Sequence, residues 1–232
     1  NLAEVGIDSP DTLSQDADEF FVWKHADLTL SQTCGMPYRL WLYREVTLVG
    51  TPDFGIDGCP PGYYISPLVV RADDTRSTVD AFRNARFAYN QTHSQSGFAA
   101  AYNHLDRHGW WFNELLHTGQ HLESARSVAE GRADIASLDA VSWRLMEAYE
   151  SFATELRVLE WTKPTPGLPL ITAKGNDADA IFAAVERAIL ELTATDRAIL
   201  GLVGLVRIPA EDYLAIPNPP ESAGSPPAGS SQ

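Results

Sequence analysis

The 232-residue chain carries 17 lysines and arginines against 31 aspartates and glutamates, a formal net charge of −14, with 44% hydrophobic and 21% charged residues. A chain of this length and balance buries a sizeable core and is not disordered throughout. Its acidity argues against a nucleic-acid partner and against adsorption to an anionic membrane, both of which reward clustered cations. A small anion held by a few local donors stays open. No run reaches the ~20 apolar residues that span a bilayer, so no membrane insertion is expected. The start, NLAEVGIDSPDTLSQ, has neither the basic nor the apolar region of a signal peptide and no initiator Met, so the chain reads as a processed form or a fragment.

Residues 11–25 read as the end of a helix that offers Phe20, Phe21 and Trp23 as apolar surface. Residues 27–32 (DLTLSQ) alternate as a short strand, followed by a helix over Tyr38–Arg44 and a strand over Glu45–Gly50. TPDFGIDGCPPG is a loop by composition, and Tyr63–Arg71 a longer, largely buried strand. From there strand and helix alternate. Thr78–Asn84 is a short helix, Arg86–Asn90 a strand, and a helix runs from SQSG to a stop at Gly109. Strand Glu114–Thr118, helix His121–Gly131, strand Asp134–Asp139, helix Ala140–Tyr149 and strand Leu156–Thr162 continue the pattern. A strand at Pro169–Ala173 precedes helices over Ala178–Thr193 and Ala194–Val203. Such alternation predicts an α/β fold with mostly parallel sheets. The stripe Ile181, Phe182, Val185, Ile189 and Leu192 reads as core rather than partner surface. The Pro/Ser/Gly-rich tail, 216–232, is expected to be disordered.

Cys34 and Cys59 lie beside turn residues in TCGMP and DGCPPG, and no CxxC is present, which argues against zinc. A disulfide closing the loop of about 25 residues between them would stabilise by roughly 3–4 kcal/mol on the chain-entropy argument. That bridge, with the oxidising compartment it implies, is the expectation; two buried thiols are the alternative.

Three predicted strand-to-helix junctions carry polar groups. Ser94-Gln95-Ser96-Gly97 offers hydroxyls and unpaired N–H groups at a helix start, with a glycine that permits close backbone approach, which suits an oxyanion. On spacing alone an ordinary serine N-cap is the simpler account. His117-Thr118-Gly119-Gln120-His121 and Leu138-Asp139-Ala140-Val141-Ser142 occupy equivalent places, at the strand ends where doubly wound sheets bind ligands. Together Ser96, His121 and Asp139 form either a ligand wall or three polar helix caps. Five of the 6 histidines fall between His93 and His121, but no carboxylate or cysteine accompanies His104 and His108 at ligand spacing, so no metal is expected. A Ser96–His121–Asp139 triad lacks a strained nucleophile turn, and no acyl-transfer chemistry is expected.

With these residues in order, the chain resembles the substrate-binding proteins of phosphate/phosphite/phosphonate ABC transporters across about residues 27–175. LSQTCGMPY, VGTPDFGIDGCPPGYYISPLVVRADD, SQSG, TGQH, VAEGRADIASLDAVSW and PTPGLPLIT carry the likeness by joint order and spacing. The resemblance implies the type II periplasmic-binding-protein fold, two α/β lobes trapping ligand between them: lobe 1 from residues 1–75 and 166–215, lobe 2 from 76–165. The family's opening strand is missing ahead of DLTLSQ, so lobe 1 reads as lacking its first strand.

Position by position, the family's Ser-x-Ser-Gly grip falls on Ser94, Gln95, Ser96 and Gly97, with Gln95 where threonine is common. Its strand-start tyrosine matches Tyr64, and its Gly-x-His histidine matches His121. Thr33 and Tyr38, from LSQTCGMPY, and Asp139 complete the implied ligand set. Where the resembling aminophosphonate binders place acids, this chain has Leu168 and, near the second position, Val141 with Asp139 close by, which favours a simpler oxyanion. The implied function is reversible oxyanion binding for a transporter permease, in the periplasm, with no cofactor and no catalysis. A stand-alone anion sensor and an enzyme on the same scaffold are the alternatives.

Overall fold

Valine- and leucine-rich runs between turn residues become the strands of this chain, whose computed structural model describes residues 2–8, 12–13 and 18–224. In chain order the strands are β1 (Ser31–Gln32), β2 (Val46–Asp53), β3 (Tyr63–Tyr64), β4 (Pro67–Arg71), β5 (Arg86–Tyr89) and β6 (Glu114–His117). They continue with β7 (Ile135–Ser137), β8 (Leu156–Trp161), β9 (Thr165–Pro166), β10 (Leu170–Ala173) and β11 (Gly204–Val206). The helices are α1 (Glu19–Trp23), α2 (Gly35–Pro37, extended by a π turn at Tyr38–Leu42), α3 (Ala100–Asp106) and α4 (His121–Ala129). α5 (Ala140–Tyr149), α6 (Ala178–Glu191), α7 (Ala194–Leu200) and α8 (Ala210–Leu214) complete the set. The chain forms two units, one of Asn1–Tyr63 with Thr165–Ile216 and one of Tyr64–Pro164 with Pro217–Gln232.

The second unit is a five-stranded sheet in the order β6-β5-β7-β4-β8. Alternation along each strand sends side chains to two separate cores. Leu68, Val70, Phe87, Tyr89 and Ile135 meet Phe82, Phe98, Leu105 and Phe112 on one face. Val69, Ala88 and Ala136 meet Ala125, Val128, Trp143 and Met146 of α4 and α5 on the other. Both faces are therefore covered, and the run Leu68-Val69-Val70 has no exposed surface at all. Stacking of Phe87 on Phe112, with ring centroids 4.8 Å apart, anchors the first core.

In the first unit the sheet order is β1-β10-β2-β11, and every pairing is antiparallel. Its core gathers Leu28, Tyr38, Leu42, Val46, Ile171, Ile208 and Tyr213. Helix α6, capped by the Asp177 carboxylate, buries Ile181, Ala184 and Ile189, with Phe182, Val185 and Leu192 half-buried. The Phe182 ring fits over Gly50, where a Cβ would lie 2.8 Å from it. Predicted stripe and observed buried face coincide.

Several expectations are corrected. The sheets are not mostly parallel: in the five-stranded sheet β5–β6 and β5–β7 run parallel while β4 is antiparallel to both of its neighbours, and the four-stranded sheet is antiparallel throughout. Alternation of strands and helices counts elements but is blind to strand direction, and β2 and β10 pair across the whole intervening second unit. Residues 64–75, placed with the first lobe, belong to the second unit. β11 and α8 fill the stretch between the predicted last helix and the tail, for which no element was expected. The tail is structured as far as residue 224: Trp111 Nε1 donates to the Ala223 carbonyl at 3.0 Å, Asn103 to that of Pro217 at 2.9 Å, and Ala223 is buried. A proline-rich segment without a core of its own has borrowed one. Residues 225–232, and 11 and 14–17 of the predicted first helix, lie outside the described residues.

Cys34 and Cys59 form no disulfide. Loop-closure entropy says what a bridge would add, but Cα separation and Cβ direction decide whether it forms. Here each cysteine serves a local turn, the Cys34 carbonyl accepting from Tyr38 N–H and Cys59 N–H donating to Ile56. Burial, aided by Asp53, raises the Cys59 pKa and keeps it a thiol. The inference of an oxidising compartment from these cysteines therefore falls.

Tyr213 hydroxyl and Thr51 hydroxyl share a buried 2.6 Å hydrogen bond that ties α8 to β2. Tyr213→Phe strands the Thr51 hydroxyl and should cost about 1–3 kcal/mol in urea unfolding, whereas the double variant with Thr51→Val should recover part of that loss.

Candidate functional site

Parallel neighbours end at the same sheet edge. β5 pairs in parallel with β6 through Tyr89↔His117 and with β7 through Ala88↔Ala136, so SQSG, TGQH and Asp139 all emerge from one edge of the second unit. The antiparallel β4 starts at that edge: Leu138 N–H donates to the Pro67 carbonyl at 3.1 Å, and Ser66 N–H to Thr162 Oγ1 at 2.9 Å.

Ser94 Oγ accepts from Gly97 N–H at 3.0 Å, and the Ser94 carbonyl accepts from Ala99 N–H at 3.0 Å. A wide π turn, Gln95–Ala99, leads into α3. The N-cap reading of Ser94 is therefore correct as far as its oxygen goes; its hydroxyl proton stays available. Ser96 Oγ and His121 Nε2 are 3.0 Å apart, and Ser137 Oγ donates to the Ser96 carbonyl at 2.6 Å. A Cβ on Gly97 would collide with Asn90 Oδ1 and lie 3.1 Å from His121 Cε1, so a larger residue must displace the Asn90 amide.

Thr118 N–H donates to the Tyr89 carbonyl at 2.9 Å and Gly119 N–H to the Asn90 carbonyl at 3.1 Å, with Gly119 at φ +83°. That turn sets His121 in the first turn of α4, whose N-cap residue Gln120 gives no side-chain cap. Asp139 Oδ1 caps α5 through Ser142 N–H at 2.8 Å. Its Oδ2 is buried with no hydrogen-bond partner among the described residues. Burial lowers the His121 pKa, opposed by the Asp139 charge and the Ser137 backbone.

The structure thus brings Ser94, Gln95, Ser96, Gly97, His121 and Asp139 to one edge of one unit, all but His121 deeply buried. Tyr64 is buried at the head of that unit. Thr33 and Tyr38 belong to the other unit. Thr33 N–H donates to the Pro169 carbonyl at 3.0 Å, and its buried hydroxyl has no partner among the described residues. Tyr38 packs edge-on against Tyr213, and its pKa is pushed up to about 12 by burial and then by Glu211. Sequence reasoning passed over Ser137 and Asn90; their place at the ends of β7 and β5 was the available signal. His104 and His108 turn to separate acids, Glu160 at 2.9 Å and Asp80 at 3.3 Å, and no metal-binding group of three or more ligands occurs among the described residues. A cavity of about 770 Å³ in the first unit is lined by Asp8, Asp27 and Asp177 and contains none of the predicted ligand residues.

This mixed α/β architecture is that of the type II periplasmic binding proteins. XAC2383 from Xanthomonas citri bound to ATP matches with TM-score 0.70 at 18% identity, over 92% of this chain and 85% of that one. PhnD1 from Prochlorococcus marinus in complex with methylphosphonate matches with TM-score 0.68 at 13% identity, over 79% and 74%. A binding-protein component of an ABC phosphonate transporter from Pseudomonas aeruginosa gives TM-score 0.62 at 16% identity, over 80% and 65%. Residues 48–213 match the family of periplasmic substrate-binding proteins of phosphonate ABC transporters, and the chain belongs to that family. No curated protein matches it by sequence. No helix among the described residues is long and apolar enough to cross a membrane.

Because the folded state holds His121 below its ordinary pKa, the unfolded chain binds the extra proton as pH falls through about 6.5. The stability His121 contributes is thus present above that pH and lost below it. Urea midpoints at pH 7.5 and 5.5 should fall more for the wild type than for His121→Gln, by up to about 1.4 kcal/mol per pH unit.

Proposed function

We propose that the chain reversibly binds a small phosphorus oxyanion, namely phosphate, phosphite or a simple phosphonate, as the solute-binding component of an ABC transporter, and performs no reaction on it. The carrying observation is the convergence of SQSG, His121 and Asp139 at one sheet edge, tied together by the 3.0 Å Ser96–His121 contact. Family membership supports the transporter role, with a permease as partner and the periplasm as compartment. The likeness to proteins holding methylphosphonate and ATP supports a phosphorus oxyanion as ligand.

In this reading Ser94 and Ser96 hydroxyls and the free N–H groups at the start of the helix that SQSG opens replace the anion's hydration. Each charge-assisted hydrogen bond contributes about 1.5–3 kcal/mol. A ligand anion beside His121 favours the protonated ring, which then donates from Nε2 and leaves the Ser96 proton for the ligand. Asp139 Oδ2, without a protein donor, accepts a proton carried by the ligand and repels fully ionised sulfate. Tyr64 is a further donor from the same unit.

Calorimetric titration with phosphate, phosphite, methylphosphonate, 2-aminoethylphosphonate and sulfate tests this. One of the first three should bind tightest, sulfate weakly, and Ser96→Ala should weaken the best ligand at least about tenfold while costing the unliganded protein only about 1 kcal/mol of stability. Equal affinity for sulfate and phosphate at pH 7 removes the role given to Asp139, and binding of none of the five removes the function.

A further inference from the structure

Resting on that anion-binding reading, we infer that Asn90 is a further ligand-binding residue, whose side-chain NH2 donates a hydrogen bond to the bound oxyanion. Asn90 directly follows β5 and so stands at the edge from which SQSG and His121 emerge. Its carboxamide lies over the bare Cα of Gly97: a Cβ there would collide with Oδ1, lie 2.9 Å from Cγ and lie 3.1 Å from His121 Cε1. The amide and the imidazole therefore flank the same glycine.

The orientation of the amide follows from its surroundings. Oδ1 is buried and has no hydrogen-bond partner among the described residues, and what it faces is the Cα–H pair of Gly97, a weak donor that suits an oxygen. That contact turns the NH2 end away from the glycine. Meanwhile the Asn90 backbone is already engaged, its carbonyl accepting from Gly119 N–H at 3.1 Å in the turn that sets His121. Burying a carboxamide oxygen without a donor costs free energy that an apolar group of the same size would avoid. Donation from the neutral NH2 to an anion offsets that cost and adds no charge to the site.

The substitutions Asn90→Ala and Asn90→Asp separate this role from a structural one. Titrated with phosphate, phosphite, methylphosphonate and sulfate at pH 7.5, Asn90→Ala should weaken the best wild-type ligand about tenfold, and Asn90→Asp about a hundredfold or more, because a carboxylate of the same shape lacks N–H and repels the anion. Melting curves without ligand check that both variants fold; should Asn90→Ala not fold, the isosteric Asn90→Asp carries the test. Gly97→Ala unseats the amide, so adding Asn90→Ala to it should cost no further affinity. Unchanged affinity in both Asn90 variants overturns the inference. Tighter binding by Asn90→Asp overturns it too, since the oxygen rather than the NH2 would then face the ligand. If the wild type binds none of the four compounds, the anion-binding reading itself fails and takes this inference with it.

Discussion

Two parallel strands hydrogen-bonded side by side have no choice about where they finish: both carboxyl ends point to the same edge. In the second unit β5 lies between β6 and β7 with both pairings parallel, and this places three chain exits together. SQSG, TGQH and Asp139 are distant in sequence, but the ladder makes them neighbours. Hydrogen bonds then fix their mutual spacing: Ser137 to the Ser96 carbonyl, Ser96 to His121, and Gly119 to the Asn90 carbonyl. Local turn chemistry does the rest, since the Asn90 amide sits where a side chain at position 97 would go and the backbone at Gly119 is left-handed.

The chain as a whole is strongly acidic, with a formal charge of −14, yet the proposed ligand is an anion. No contradiction follows, because surface charge acts over a Debye length of about 8–10 Å at ordinary salt, while donors at hydrogen-bond distance in a buried setting are screened far less. Acidity of the surface affects the rate of encounter; it does not decide what the hydroxyls, N–H groups and imidazole hold once water is displaced.

Much of this was legible from residue order alone. The helix over Ala140–Tyr149, the strand beginning at Arg86 and the buried stripe of α6 followed from periodicity and capping. The residues proposed for the site stood out because they sit at strand-to-helix junctions, where caps and ligand donors use the same side chains. Ser94 shows how close the two uses are: its oxygen is a cap and its proton is not committed. What stayed hidden depends on partners remote in sequence. Strand direction failed because β2 meets β10 only after a whole unit intervenes, and the disulfide failed because cysteine spacing holds no information about Cα separation. Asn90 looked like the last residue of a strand; its seat over Gly97 exists only once the turn has folded.

The stretch from Pro217 to Gly224 looks dispensable by composition, yet Ala223 is part of the same core as Phe98, and a Cβ on Gly224 would lie 2.8 Å from Thr92. Thr92 and Phe98 bracket the SQSG turn on either side. Residues 217–224 therefore act as a wedge beneath the SQSG turn, and trimming the protein at its prolines would loosen the support of that turn instead of merely tidying an end.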